Sequence, residues 1–214
     1  MAAAPPPPHL LGVLLSPDGS RPVPMRPCPP LPSGVALARL SASDLPWLEP
    51  LQADPETMRF IFGGVRDAAG TARDVASSEE TWASLGWGMW AVRVSGTPVG
   101  VAGLAHRPDL GAPGIRVVLG PGARGRGLGL PLLVATWDHA FLSEWPDVAY
   151  VAGTLQIANA ASRAIVEAGG MRLEASFLRG GVPTERWGIR REDWRAARAG
   201  LAAGAGRCGG SSSG

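Results

Sequence analysis

Residues Ile115 to Gly129 read I-R-V-V-L-G-P-G-A-R-G-R-G-L-G, and the rest of the chain is best understood outward from them. The β-branched and aliphatic residues Ile115, Val117, Val118 and Leu119 suit a buried strand, which the cluster Gly120-Pro121-Gly122 ends. Arg124 and Arg126 then alternate with Gly125, Gly127 and Gly129, and beyond them Leu132, Leu133, Trp137 and Phe141 recur at helical spacing. The unit is a strand, a glycine-rich turn and a helix. Such a turn leaves backbone N–H groups without intrahelical partners at the positive end of the helix dipole, and its glycines let a bulky anion approach without meeting a Cβ. With two arginines beside it, the turn reads as a phosphate site.

Three phosphate-binding patterns compete for that turn. A Walker-type loop requires a lysine, and the chain contains none. The dinucleotide pattern G-x-G-x-x-G matches Gly120, Gly122 and Gly125, but Pro121 stands inside it, and the next strand, Val148 to Thr154, ends with no Asp or Glu to hold a ribose hydroxyl. The third pattern, R-x-x-G-x-G, is met by Arg124, Gly127 and Gly129. It resembles motif A of the GNAT family of acyl-CoA-dependent N-acyltransferases. Downstream, Asn159-Ala-Ala-Ser162-Arg-Ala-Ile-Val-Glu167-Ala-Gly-Gly170-Met171 is similar to the family's N-x-x-S-x-x-V-L-E-K-L-G-F segment. Upstream, Ala53 to Arg59, Trp90 to Val92 and Pro98 to Leu104 resemble the branch that acetylates ribosomal-protein N-termini, the RimJ/RimL type. The resemblance spans about Val35 to Trp194.

What the resemblance implies is specific. The fold is α/β, with a mixed, mostly antiparallel central sheet splayed at the cofactor site and helices on both faces. The pantetheine chain of acetyl-CoA lies in the splay as an extra strand, bonded to the backbone of Val117, Val118 and Leu119. The phosphates sit on Arg124, Gly125, Arg126, Gly127, Leu128 and Gly129. Asn159 and Ser162 face the cofactor, although Asn is also a favoured helix cap and suits that position for the helix alone. The implied activity is transfer of acetyl to a primary amine, a protein N-terminus among the acceptors, by direct attack in a ternary complex.

The catalytic residues are harder to name. Many relatives carry a Glu near the start of the motif A strand and a Tyr in the second motif, whereas the aligned positions here are Gly114 and Val166. Ser162 is the candidate for protonating the leaving thiolate, and Glu80, with Glu79 beside it, for handling the amine proton. An α-amino group has a pKa of about 7.7–8.0, so a missing base costs only about 1 kcal/mol at neutral pH. The absent pair also motivates a second reading, a catalytically silent module that binds acyl-CoA as a sensor. Trp82, Trp87 and Trp90 are expected in the core rather than in an acceptor pocket, as is Tyr150.

Composition bounds the remainder. A chain of 214 residues, 45% of them hydrophobic, suits one domain with a full core. Its limits are expected at 35–199, between a Pro-rich disordered tail over 1–34 and an Ala/Gly/Ser-rich one over 200–214. A formal charge of +2 argues against a nucleic-acid partner. Only Cys28 and Cys208 are present, and His9, His106 and His139 lack metal-ligand spacing, so neither a disulfide framework nor a metal is expected. The apolar run Leu10 to Leu15 is too short to span a membrane. A cytoplasmic monomer or homodimer is the resulting expectation.

In chain order the pattern predicts a strand from Val35, a helix capped near Ser43 and Asp44, and a second helical piece from Pro55 through Phe62. A third helix over Ala72 to Leu85 follows, then a hairpin of Gly88–Val94 and Pro98–Leu104 about Ser95-Gly96-Thr97. After the central strand come a helix over Arg126–Ser143, the strand Val148–Thr154 and a helix over Asn159–Ala168. Strands Met171–Leu178 and Thr184–Ile189 and a short helix over Arg190–Ala199 complete it.

Overall fold

Alternation in the strand Met89–Val94 shows how the molecule is layered. Trp90 and Val92 pack with Leu132 and Ala135 on one face of the sheet, while Met89 and Ala91 pack with Leu48, Met58 and Val75 on the other. A strand buried on both faces lies inside a sheet covered by helices on each side. The computed structural model describes residues 13–14, 23–24, 31–142 and 148–195. Most of the two predicted tails therefore lies outside the described residues; within the first, Val13–Leu14 (β1) pairs antiparallel with Val23–Pro24 (β2).

The main sheet has seven strands: Val35–Arg39 (β3), Met89–Val94 (β4), Thr97–Ala105 (β5), Gly114–Leu119 (β6), Tyr150–Gln156 (β7), Arg172–Arg179 (β8) and Val182–Arg190 (β9). Their spatial order is β3-β4-β5-β6-β7-β9-β8. Every neighbouring pair is antiparallel except β6 and β7, which run parallel and register at Gly114↔Ala152 alone. The predicted β4–β5 hairpin is present, with Ser95 at φ 48° in its turn.

Five helices cover the sheet: Leu45–Ala53 (α1), Pro55–Met58 (α2), Ala68–Leu85 (α3), Gly129–Leu142 (α4) and Ala160–Ala168 (α5), and residues 191–195 are also helical. Caps set several boundaries. Asp54 accepts hydrogen bonds from the N–H groups of Glu56 and Thr57 to open α2, which stops at Met58, short of the expected Phe62. Asp67 accepts one from Gly70 N–H at 2.6 Å, starting α3 four residues before the expected Ala72. α4 begins at Gly129 rather than Arg126, because Gly125 and Gly127 take φ of +71° and +72° and hold the turn out of the helix.

α4 is the most deeply set helix. Its Leu132, Leu133 and Trp137 are almost fully buried, and His139 packs against the paired rings of Trp82 and Trp90, 5.2 Å from each. Trp194 donates to Asp138 at 3.1 Å, tying the 191–195 helix to α4.

Candidate active site

Where β6 leaves β7 the sheet opens. β6 stays paired to β5 from Gly114 through Leu119, yet its pairing to β7 goes no further than Gly114. Ala152 N–H donates to Pro113 O at the closed end, and Gly120 N–H donates to Val99 O on the β5 side. Backbone direction alternates along a strand, so beyond the bridge Val117 and Leu119 turn their N–H and C=O groups toward the opening. An extended chain laid there would meet the edge of a sheet.

A cavity of about 880 Å³ fills this gap and continues past it. Val117, Val118 and Leu119 line it, as do Arg124, Gly125, Gly127, Leu128 and Gly129 of the turn and Asn159 and Ser162 at the start of α5. Arg126 is the exception among the predicted turn residues: it is exposed and is not part of the lining. Arg124 is bent back over the turn, its Nε donating to Leu119 O at 3.0 Å. The glycines serve two ends. A Cβ at Gly127 would meet no atom within 4 Å, whereas one at Gly129 would stand 2.5 Å from Ile165 Cδ1, so Gly129 sets how closely α4 and α5 approach.

Asn159 does cap α5, its Oδ1 accepting from Ser162 N–H at 3.2 Å. That cap puts Ser162 on the cavity wall, with its hydroxyl unbonded among the described residues. Glu80 is exposed on α3 and away from the cavity, and Glu79 accepts a hydrogen bond from Ala42 N–H at 3.1 Å. Trp82, Trp87 and Trp90 belong to the core and do not line the cavity. Tyr150, expected in the core, is only half-buried at the start of β7, because its hydroxyl donates to Glu174 at 2.6 Å. Among the described residues no cluster of His, Cys, Asp and Glu could hold a metal, and no helix is long and apolar enough to cross a membrane.

At Gly114, where relatives of the resembled type carry a glutamate, a Cβ would stand 2.5 Å from Arg107 Cγ. An arginine stem fills the space a catalytic carboxylate would need. The pattern extends around the cavity, where three carboxylates are each shared by two arginines. Asp109 pairs with Arg107 and Arg179, Asp74 with Arg66 and Arg116, and Glu56 with Arg59 and Arg124. Hydrogen bonding from Arg107, together with the charges of Arg107 and Arg179, holds the Asp109 carboxyl down at about 2 against the opposing effect of its burial.

The Arg66–Asp74–Arg116 group is the most enclosed of the three. Arg116 projects from the middle of β6, with NH1 3.3 Å from Asp74 Oδ2, while Arg66 Nε lies 3.6 Å from the same oxygen. Arg116 Nε and NH2 are shut off from solvent and have no hydrogen-bond partner among the described residues. Burial lowers the Arg116 pKa, Asp74 opposes that shift, and Arg66 and Arg107 add to it. Sequence reasoning missed this group. Its one linear signal is an arginine interrupting the apolar run of a buried strand.

The geometry matches known proteins. Residues 35–172 match the family model of the acetyltransferase (GNAT) domain. The RimL ribosomal L7/L12 α-N-protein acetyltransferase, solved with coenzyme A, superposes with a TM-score of 0.62 at 19% identity, covering 75% of this chain and 96% of its own. Spermidine N-acetyltransferase from Vibrio cholerae, solved with CoA and spermine, gives a TM-score of 0.63 at 14% identity, covering 76% and 99%. A GNAT-family acetyltransferase from Bacillus anthracis gives 0.61 at 18%, covering 75% and 96%. Identities this low speak for the fold alone, but the family model spans most of the chain, and with strand, splay and turn in the expected order the protein belongs to the GNAT acetyltransferase family.

Proposed function

We propose that this protein transfers the acetyl group of acetyl-CoA to a primary amine by direct attack in a ternary complex. The observation that carries this reading is the parting of β6 from β7 after one bridge, with the glycine turn at the far end of the opening. In this reading the outward-facing backbone of Val117 and Leu119 holds the pantetheine chain, and the N–H groups of the turn and the first residues of α4 hold the phosphates. The cavity also reaches the wall made by α2 and α3, which leaves room for both substrates at once. The amine nitrogen forms its bond to the thioester carbonyl carbon, the C–S bond breaks, and sulfur leaves with the electron pair and takes up a proton equivalent to the one nitrogen sheds. N–H groups of β6 facing the opening would polarise the carbonyl.

Among the described residues, the carboxylates lining the cavity, Glu56 and Asp74, are each engaged by two arginines, and the space beside Gly114 is taken by Arg107. The surrounding arginines instead favour the unprotonated, nucleophilic amine, because a nearby positive charge disfavours an ammonium. The same charge argues against a polyamine acceptor of the kind named for the Vibrio enzyme, and leaves the protein N-terminus named for RimL as one acceptor class. Ser162 is proposed to protonate the departing thiolate or to steady the pantetheine. Ser162→Ala separates these roles: a fall in kcat of about 10²-fold with acetyl-CoA affinity intact marks the acid, and a loss of affinity or melting temperature with kcat intact marks the support.

The second reading, a silent acyl-CoA sensor, is favoured by Arg107 occupying the space beside Gly114. Thermal shift with acetyl-CoA and NAD, followed by CoA release with a panel of amines, tests both. At 100 times its dissociation constant acetyl-CoA should stabilise the fold by about 2.7 kcal/mol. Binding without release of CoA for any amine supports the sensor, and no shift with acetyl-CoA defeats both readings.

A further inference from the structure

Around the cavity, three carboxylates answer six arginines. Two of these groups are well exposed, and water screens them. The third is not. Arg116 keeps only 20% and Arg66 only 21% of its side-chain surface, and both depend on Asp74. Arg66 has other acceptors, its NH1 donating to Gly64 O at 2.7 Å. Among the described residues Arg116 has one hydrogen-bond partner, Asp74, and two nitrogens that meet neither solvent nor a partner.

Burying a guanidinium with donors unmatched is costly. A buried donor left alone costs about 1–3 kcal/mol, and a charge more, so such groups persist where a ligand completes them. Arg116 lines the cavity, and the anion whose geometry a guanidinium matches is a carboxylate; because Nε and NH2 have no accessible surface, docking one there requires the side chain to turn toward the cavity. The turn and Arg124 lie at the C-terminal end of β6 and accommodate the phosphates of the donor. Arg116 lies nearer the closed end of the splay, on the face of β6 covered by α3, where the acceptor must come to reach the thioester.

We infer that Arg116, supported by Arg66, is the receptor for a carboxylate on the acceptor, so that the amine acetylated is a small carboxylate-bearing one of the amino-acid type. This rests on the transferase reading above and narrows its acceptor. Arg116 is then a specificity-determining residue: it docks the carboxylate and leaves the nearby amine facing the thioester. Asp74 holds the two guanidinium groups at a fixed spacing.

The test compares each free amino acid with its own α-amide as acceptor in the wild-type protein with acetyl-CoA, following CoA release. The expected result is at least one amino acid whose kcat/KM exceeds that of its amide by about 100-fold, the loss typical when a charge-assisted pair is removed. Arg116→Gln should abolish that preference by raising KM, with the acetyl-CoA dissociation constant changed less than about twofold, and Arg116→Lys should restore part of it. Equal use of acid and amide overturns the inference while leaving the transferase reading intact, as does preferred use of a peptide with uncharged N-terminal residues. A preference for succinyl-CoA over acetyl-CoA that Arg116→Gln reverses also overturns it, by assigning the carboxylate to the acyl group. If no amine releases CoA, titration of N-acetyl amino acids into the CoA-bound protein still decides. Binding by wild type but not by Arg116→Gln upholds the carboxylate site and sinks the transferase reading, and no binding to either overturns the site.

Discussion

Gly127 shows how little of the turn's chemistry resides in side chains. Its φ of +72° is a conformation that a β-branched residue strongly disfavours, and the space where a Cβ would stand is open. Gly127→Val therefore meets no packing clash and should melt within a few degrees of wild type. The valine would nevertheless strain the turn and project toward an incoming phosphate, so acetyl-CoA affinity should fall by tenfold or more, as titration calorimetry would show. Unchanged affinity would mean that the glycine only shapes the loop. Arg116 is the opposite case, a residue whose side chain is the whole point. Its position in I-R-V-V-L marks it as odd, but its partners Asp74 and Arg66 stand more than forty residues away, and no local pattern links them.

At the scale of elements, α4 makes the clearest prediction. His139 is buried on it, and its Nε2 donates to Gly86 O at 2.9 Å, since a carbonyl can only accept. Burial, aided by the charge of Arg39 and opposed by that hydrogen bond, lowers the His139 pKa to about 4 from an ordinary 6.5. The neutral form belongs to the folded state, so the contribution is fully present above pH 6.5. It declines as pH falls from 6.5 towards 4, by up to about 3 kcal/mol. Urea midpoints should drop over that interval in wild type and drop less in His139→Gln; parallel losses would assign the effect to other groups.

Elements were legible in the sequence where their signal is local. The β4–β5 hairpin, β6 and the Asn159 cap follow from alternation, turn residues and cap chemistry. The start of α4 was not, because its apolar spacing runs back through Leu128 and nothing in the letters R-G-R-G reveals which glycines take positive φ. Glu80 failed as a candidate for the complementary reason: a sequence places it on a helix without saying which way it faces, and α3 turns Asp74, Ser77, Ser78 and Thr81 to the cavity instead.

As a whole, the molecule is two half-sheets, β3 to β6 and β7 to β8, joined within the sheet by one bridge at Gly114↔Ala152 and spanned by α4 and its contacts with α5. A donor bound in the opening would supply hydrogen bonds the protein itself lacks. Amide exchange at Val117 and Leu119 should slow on adding acetyl-CoA, more than at β4 residues such as Val92, which are bonded on both sides already. Uniform slowing across all strands would point to general stabilisation instead. Without its donor the protein carries an unpaired strand edge, the feature on which foreign strands nucleate aggregates and which degradation machinery exploits when it opens. The cell's supply of acyl donor would in that way govern how long each molecule survives as well as how fast it works.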